Sequence, residues 1–210
     1  MKQLKSPRKM DITARLVFKK VYPFIAKHIV SKYHITKGLC LDVGSGPASL
    51  AVALAGITDL QIVSLDVEPE MAVIANANIT EAGFGQRITP VTSDVHSMPF
   101  PDDHFNLIVS RGSIFFWEDR PKALRELYRV LKPGGVIYSG GGLGSEEIRR
   151  EAEVIIMTND IFEDIRQSWH NKTGKSKADN EADFKKDLAE SGLPGRVLHE
   201  CGGIWLEIFK

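Results

Sequence analysis

The sequence contains little cysteine, no excess of charge of either sign and no long apolar run, and each absence excludes a class of protein. Its two cysteines, Cys40 and Cys201, exclude a disulfide scaffold, and without a Cys-x-x-Cys motif or a Cys/His cluster we expect no metal site. Lysine plus arginine and aspartate plus glutamate each number 27, so the net charge indicates neither a nucleic-acid partner nor an anionic membrane. No segment approaches the roughly 20 apolar residues of a transmembrane helix.

The N-terminal residues 1–9 are basic but lack the apolar region that follows in a signal peptide, so we expect a cytoplasmic protein. A length of 210 residues fits one domain with a sizeable core and a small elaboration. One basic cluster alternates with acidic residues and is interpreted as a solvated helix face. Its members are Lys172, Lys175, Lys177, Lys185 and Lys186.

The most informative motif is residues 39–46, where a short apolar run ends in an acidic residue and two glycines. An amphipathic stretch begins at Pro47, so the pattern predicts a buried strand, a tight turn and a helix. A second apolar strand then ends at Asp66. Because ligands of open α/β sheets bind at the carboxyl ends of the strands, Gly44, Gly46 and Asp66 indicate a nucleoside site.

The same turn discriminates between nucleosides. A dinucleotide fingerprint needs a third glycine where this sequence has Ser49, and Pro47 removes an N–H that would face a pyrophosphate. No Gly-Lys-Ser/Thr follows the glycines, which excludes a P-loop. The turn therefore favours an adenosine without phosphates, with S-adenosylmethionine as the candidate. A purely structural turn is the alternative.

Strand and helix signals alternate along the chain, which predicts a mostly parallel sheet covered on both faces. The later strands are expected at 87–93, 105–110 and 136–139, followed by a hairpin of 196–201 and 204–209 with Gly202–Gly203 as a two-residue turn. Asp119 is expected to cap a helix with Pro121 in its first turn.

Two segments lie outside this alternation, and both are predicted to be helical. Residues 10–33 have an apolar helical period, whereas residues 144–192 are mostly polar around 171–176. We interpret both as elements over the ligand edge, with ordinary peripheral helices as the alternative. The expected organisation is a helical lid at 1–35 and a domain at 36–210 that carries 144–192 as an elaboration.

Five motifs in order resemble those of class I S-adenosylmethionine-dependent methyltransferases, in the branch that includes quinone-biosynthesis and other small-molecule enzymes. They are Leu41–Gly46, Asp66 with Met71, Ser93–Phe100, Phe105–Val109 and Leu124–Gly135. The likeness is close over about residues 36–142, and through Ser110–Asp119 it extends to archaeal and bacterial members. It implies a Rossmann-like, doubly wound, seven-stranded, mostly parallel sheet with a C-terminal antiparallel hairpin, and S-adenosylhomocysteine as the product.

The resemblance also implies roles for single residues. The glycines would lie against the methionine part of the cofactor, with Asp42 near its amino group. Asp66 would accept hydrogen bonds from both ribose hydroxyls, and Asp94 would accept one from the adenine amino group. The implied cofactor-binding residues are Asp42, Gly44, Ser45, Gly46, Asp66, Val67, Met71, Asp94, Val95, Ser110 and Arg111. Ala48 stands where the family often has a third glycine, which suggests a slightly different backbone path.

The acceptor is expected beyond the fourth and fifth strands. Ser110–Ser113 replaces the Asn/Asp-Pro-Pro-Tyr of enzymes that methylate DNA adenine or glutamine, which argues against that chemistry. Candidate acceptor contacts are Phe115, Phe116, Trp117 and Tyr22, with Tyr33 also considered. The alternative is that Phe115 and Phe116 fill core, an alternative that applies less to Trp117.

No catalytic residue is assigned, because methyl transfer mainly needs an aligned nucleophile in a pocket without water. His96 and Arg111 are candidates, although His96 also fits a surface histidine and Arg111 also fits an ion pair with Glu118 or Asp119. The sequence thus predicts a methyltransferase acting on a small molecule. The alternatives are an enzyme that uses the same cofactor for another transfer, and a non-catalytic cofactor-binding module.

Overall fold

A seven-stranded sheet forms the centre of the computed structural model, which describes residues 6–170 and 177–210. Its strands are β1 (Leu39–Val43), β2 (Gln61–Asp66), β3 (Ile88–Thr92), β4 (Phe105–Arg111), β5 (Leu131–Gly141), β6 (Gly195–Leu198) and β7 (Ile204–Phe209). Their order is β3-β2-β1-β4-β5-β7-β6, and β7 runs antiparallel to both of its neighbours while the other pairs are parallel. The predicted Rossmann-like α/β sheet with an antiparallel C-terminal hairpin is confirmed.

Helices cover both faces of this sheet. Within the described residues they are α1 (Pro7–Leu16), α2 (Val21–Tyr33), α3 (Ser49–Ala55), α4 (Pro69–Glu81), α5 (Arg120–Val130), α6 (Glu146–Thr158), α7 (Glu163–His170) and α8 (Lys177–Ser191), with 3-10 helices at Ile114–Phe116 and Asp160–Phe162. The segment predicted as a helical elaboration is therefore mostly helical wherever the structure describes it.

Alternate residues of the strands belong to two separate cores, as the period of a strand requires. Cys40 and Val109 pack with α2, α3 and α4, whereas Leu41 and Ile108 pack with α5 and α8. Each of these four side chains is fully buried. The carboxyl edge of these buried strands carries the predicted site.

A third, smaller core joins the N-terminal helix to the segment that follows β5. Val17, which directly follows α1, packs against Ala152 and Ile156 of α6 and against Phe162. The N-terminal helix and the elaboration after β5 therefore form one covering layer.

Asp119 caps α5 as predicted, because its side chain accepts a hydrogen bond from Lys122 N and Pro121 lies in the first turn. The fifth strand is longer than expected. Leu131 already pairs with Phe105, and a register shift at Phe105/Leu107 accommodates the proline and glycines that were interpreted only as a helix stop.

The predicted two-residue hairpin turn is wrong, because β6 ends at Leu198 and β7 begins at Ile204. Cys201, expected on a strand, lies in this loop with φ of 51°. The two glycines are needed for packing instead. A Cβ on Gly203 would lie 1.7 Å from the Gly141 carbonyl oxygen, and one on Gly202 would lie 2.6 Å from the Gly144 carbonyl oxygen.

The apolar period over residues 10–33 corresponds to two helices, with the break at 17–20 and Pro23 in the first turn of α2. The expected polar segment 171–176, with Lys172 and Lys175, lies outside the described residues. Lys185 pairs with Glu181 at 2.7 Å, as a solvated helix face requires. Among the described residues no helix has the length and apolar character to cross a membrane, and no cluster of histidine, cysteine and acidic side chains could hold a metal.

Candidate active site

The predicted site residues converge at the carboxyl edge of the sheet. The turn after β1 is tied to the end of β2 by three hydrogen bonds. Gly46 N donates to Asp66 Oδ2 (2.9 Å), Ser45 N donates to the Leu65 carbonyl (3.0 Å), and Ser64 Oγ donates to Ser45 Oγ (2.7 Å). The other Asp66 oxygen accepts from Glu68 N at 3.1 Å. The Asp66 carboxylate is thereby fixed beside the glycine turn.

The two glycines of the turn have different structural roles. Gly44 has φ of 61°, and a Cβ there would lie 2.2 Å from Cβ of Ser113 after β4. Ser113 Oγ donates to the Val43 carbonyl at 2.9 Å and lies 2.6 Å from Ser110 Oγ. Gly44 thus permits a close approach of β1 and β4.

Gly46 also has a positive φ, 55°, but the nearest atom to its would-be Cβ is Met10 Cε of α1 at 4.0 Å. The backbone of Gly46 therefore faces space that α1 covers, and a ligand can approach it closely. Ala48 follows with φ of 64°, in the left-handed region that glycine adopts without strain.

Asp42 lies inside the domain, 1% exposed, and accepts a hydrogen bond from Ala51 N of α3 at 3.1 Å. Burial raises the pKa of Asp42 from 3.8 to about 7, the Ala51 N–H opposes this shift, and the nearby Asp66 charge adds to it. A contact between Asp42 and the amino group of the cofactor remains a prediction.

The residues expected near the adenosine differ in exposure. Val67 is 61% exposed directly after Asp66, so its side chain is available to a ligand. Met71 of α4 and Val95 after β3 are buried, and Val95 packs in the core shared with α5. Met71 and Val95 can therefore contact a ligand only through their backbone atoms or through a small part of the side chain.

Asp94 and His96 form a pair at the edge near β3. Asp94 Oδ1 accepts from His96 N (2.8 Å) and lies 2.6 Å from His96 Nδ1, while Asp119 N donates to His96 Nε2 (3.4 Å). This pattern places the imidazole proton on Nδ1. The hydrogen bond from the His96 backbone lowers the pKa of Asp94. Both ring nitrogens of His96 are engaged, so the ring braces Asp94, and a role of His96 in catalysis stays a prediction.

Arg111 at the end of β4 forms neither of the ion pairs considered from the sequence. Its Nε and Nη2 atoms donate to the Gly142 carbonyl at 3.3 and 3.0 Å. Its guanidinium carbon lies 4.4 Å from the ring centroid of Phe18 and 5.4 Å from that of Tyr22. Burial raises the pKa of Tyr22, an effect that the Arg111 cation opposes and the Asp42 carboxylate reinforces.

The predicted aromatic wall divides into three environments. Phe115 stacks on Phe184 of α8, 5.7 Å between centroids, and approaches Gly141, whereas Phe116 is 65% exposed. Trp117 packs against the core beneath α5, so the expectation that it is less of a core residue than its neighbours is wrong. The next helix places its apolar face under Trp117, which the sequence pattern did not indicate.

Tyr33 lies away from the carboxyl edge, because its hydroxyl donates to Glu207 of β7 at 2.7 Å. Three residues at the site had no assigned role, namely Met10, Phe18 and Ser113. Met10 and Phe18 belong to the apolar period of residues 10–33, which signals burial but not the glycine turn and the guanidinium that they contact. The contact of Ser113 with the glycine turn depends on the proximity of β1 and β4, which the sequence alone does not show.

Comparison with known proteins places this arrangement among methyltransferases. Residues 41–139 match the family model described as a methyltransferase domain. One solved structure is that of a Methanococcus maripaludis protein that is proposed to be an S-adenosyl-L-methionine-dependent methyltransferase. The two sequences are 37% identical, the match covers 100% of this chain and 97% of that protein, and the structures superpose with a TM-score of 0.88.

Curated relatives are more distant. A ubiquinone/menaquinone biosynthesis C-methyltransferase of Marinomonas is 27% identical over 186 residues, which cover 87% of this chain and 70% of the relative. A sterol 4-C-methyltransferase of Caenorhabditis elegans is 28% identical over 149 residues, 70% of this chain. The chain spans only 39% of the length of the nematode protein, so the additional parts of that enzyme have no counterpart in this alignment.

Proposed function

Because this chain belongs to the S-adenosylmethionine-dependent methyltransferases, its cofactor is S-adenosylmethionine, and we propose that it methylates a small-molecule acceptor held at the ends of β4 and β5. One observation supports this most strongly. The Gly44–Gly46 turn, Asp66 and Asp94 lie at one end of a carboxyl edge whose other end presents a cation and two aromatic rings.

The residues of the cofactor half, which we define as the Gly44–Gly46 turn with Asp66 and Asp94, fit an adenosine. Asp66 is fixed by two backbone N–H groups and keeps further lone pairs for ribose hydroxyls. His96 occupies Oδ1 of Asp94, which leaves Oδ2 to accept from an adenine amino group. When bound, S-adenosylmethionine supplies a methyl group on a positively charged sulfur, an electrophile that needs no further activation.

The acceptor half, defined as Arg111 with Phe18 and Tyr22, would exclude water and orient the nucleophile. Orientation of two reactants can contribute about 7–11 kcal/mol in favourable intramolecular cases, so no dedicated base is required. Aromatic rings can also stabilise positive charge at the reacting methyl group. Tyr22, whose pKa is raised, stays protonated at neutral pH and can donate a hydrogen bond to an acceptor oxygen.

Helix α1 acts as a lid in this proposal, consistent with the separate segment 1–35. Its Met10 lies over Gly46, while Asp11 accepts from Asn78 Nδ2 of α4 at 2.8 Å and Arg15 pairs with Glu81 at 2.6 Å. The Arg15–Glu81 pair is exposed, and exposed ion pairs contribute about 0–1 kcal/mol each, whereas the Asp11–Asn78 hydrogen bond is partly buried. Because Val17 packs against α6, α1 would open together with α6 to admit the cofactor and the acceptor.

The names of the curated relatives, which refer to quinone and sterol C-methylation, favour a cyclic, largely apolar acceptor. The test is formation of S-adenosylhomocysteine when the protein, S-adenosylmethionine and a panel of cyclic metabolites are incubated together. Asp66→Ala serves as the control that removes the ribose contact. Product formation by the unaltered protein and its loss in the variant supports the proposal. Formation of an aminopropylated or rearranged product would instead support an enzyme that uses the cofactor for another reaction.

A further inference from the structure

The acceptor half contains a cation without an acidic partner. Among the described residues no carboxylate forms an ion pair with Arg111, and its polar neighbours are the Gly142 carbonyl and the Tyr22 hydroxyl. Glu118 is exposed, and Asp119 is used as the cap of α5. A guanidinium between two aromatic rings and a carbonyl is partly desolvated, and an anionic partner stabilises a partly desolvated cation.

The hydrogen bonds of Arg111 leave the terminal edge of its guanidinium without a carboxylate partner among the described residues. Of its five N–H donors, the Nε–H and one Nη2–H point at the Gly142 carbonyl, and the Tyr22 hydroxyl also lies within hydrogen-bonding reach of the guanidinium. The terminal edge, with one N–H on Nη1 and one on Nη2, has the geometry that binds a carboxylate through two parallel hydrogen bonds. Phe18 and Tyr22 lie beside the guanidinium and hold its plane.

The position of Arg111 in the sheet favours the acceptor over the cofactor as the source of that anion. Asp66 and Asp94 follow β2 and β3, on one side of β1, whereas Arg111 ends β4 and reaches towards Gly142 after β5, on the other side. Strands lie about 4.8 Å apart, so Arg111 is one strand away from the Gly44–Gly46 turn, and its hydrogen bonds to Gly142 direct the guanidinium to the side of β4 away from that turn.

We propose that Arg111 determines specificity by binding a carboxylate of the acceptor through the terminal edge of its guanidinium. This inference rests on the proposed methyl transfer and names the substrate class, a cyclic or otherwise apolar molecule that carries a carboxylate. The aromatic rings of Phe18 and Tyr22 contact the apolar body, and the cation fixes which end of the molecule faces the methyl group.

The test compares acids with their amides on protein saturated with S-adenosylhomocysteine. Benzoate, phenylacetate and 4-hydroxybenzoate and the three matching amides are titrated by ligand-observed NMR. We expect the carboxylates to bind about tenfold more tightly than the amides, as a charge-assisted bidentate pair allows. Arg111→Gln, which can still donate to Gly142, should abolish the preference, and Arg111→Lys should keep part of it. Arg125→Met, an exposed arginine on α5, is the matched control and should bind all six compounds as the unaltered protein does.

Two further titrations separate this inference from the proposed function. If Arg111→Gln weakens S-adenosylhomocysteine by about tenfold but leaves 5′-methylthioadenosine, which has no carboxylate, unaffected, then Arg111 holds the cofactor and the inference is wrong. Equal binding of acids and amides, or binding of none of them, also overturns it. Failure of the unaltered protein to bind S-adenosylhomocysteine would instead contradict the function itself.

Discussion

The cofactor half and the acceptor half of the carboxyl edge are built in different ways. The cofactor half is held by backbone hydrogen bonds between loops that follow neighbouring strands, such as Gly46 N to Asp66. The acceptor half is held by side chains, with Arg111 at the end of β4 packed against Phe18 and Tyr22, which lie about 90 positions earlier in the chain. A local motif can specify the first arrangement, whereas the second depends on tertiary packing.

The largest expected effect concerns the two glycines of the turn. Gly44→Ala places a Cβ 2.2 Å from that of Ser113 and adds left-handed strain, so we expect a loss of about 3–5 kcal/mol in the free energy of unfolding, or no folded protein. Gly46→Ala has open space and should lose only about 1–2 kcal/mol. Urea denaturation measures both. Equal losses would contradict the distinction between a packing glycine and a ligand-facing glycine.

The buried Asp42 predicts a pH dependence of stability in the cofactor half. Its pKa in the folded state, about 7, lies above the ordinary 3.8, so the unfolded chain loses this proton first as the pH rises. Stability from this group is complete below about pH 4 and declines as the pH increases through 7.

Asp42→Asn keeps an acceptor for Ala51 N and cannot titrate. Relative to the unaltered protein, the variant should therefore gain on the order of 1–4 kcal/mol between pH 4 and pH 8. Denaturation at both pH values measures the gain. Parallel pH profiles for the two proteins would show that Asp42 is ionised in the folded state throughout.

The lid predicts a coupling between the two halves. Adding S-adenosylhomocysteine should slow amide hydrogen exchange in α1 and in α6 as well as around Gly44 and Asp94, because Met10 contacts the turn and Val17 joins α1 to α6. Mass spectrometry of peptides from residues 7–33 and 146–158 measures the exchange in these helices. Slowing confined to the turns would make these helices peripheral packing, and would remove the proposed lid.

The smallest expected effect concerns Ala48. Replacement by glycine removes left-handed strain but also removes a fully buried methyl group worth about 0.8 kcal/mol and adds freedom to the unfolded chain. These contributions nearly cancel, so Ala48→Gly should change the free energy of unfolding by less than about 1 kcal/mol. A loss greater than about 2 kcal/mol would indicate that the methyl group fills the base of the turn.

The sheet and the cofactor half could be predicted because their signals are local. Apolar runs ending in Gly44, Asp66 or Asp94 specify parallel strands whose ends must meet at one edge. The hairpin turn was wrong because its length depends on the packing of Gly203 against Gly141, which no neighbouring residue reveals. The environment of Trp117 and the partners of Arg111 depend on distant elements in the same way.

The central claim, that the glycine turn and Asp66 bind S-adenosylmethionine, is tested most directly by calorimetric titration with S-adenosylhomocysteine. The unaltered protein should bind in the micromolar range, and Asp66→Ala should bind at least about tenfold more weakly, since hydrogen bonds to a carboxylate contribute about 1.5–3 kcal/mol. Asp94→Asn, which keeps an acceptor for the adenine amino group, should show a smaller loss. Binding of NAD without binding of S-adenosylhomocysteine, or an unchanged dissociation constant in Asp66→Ala, would contradict the claim.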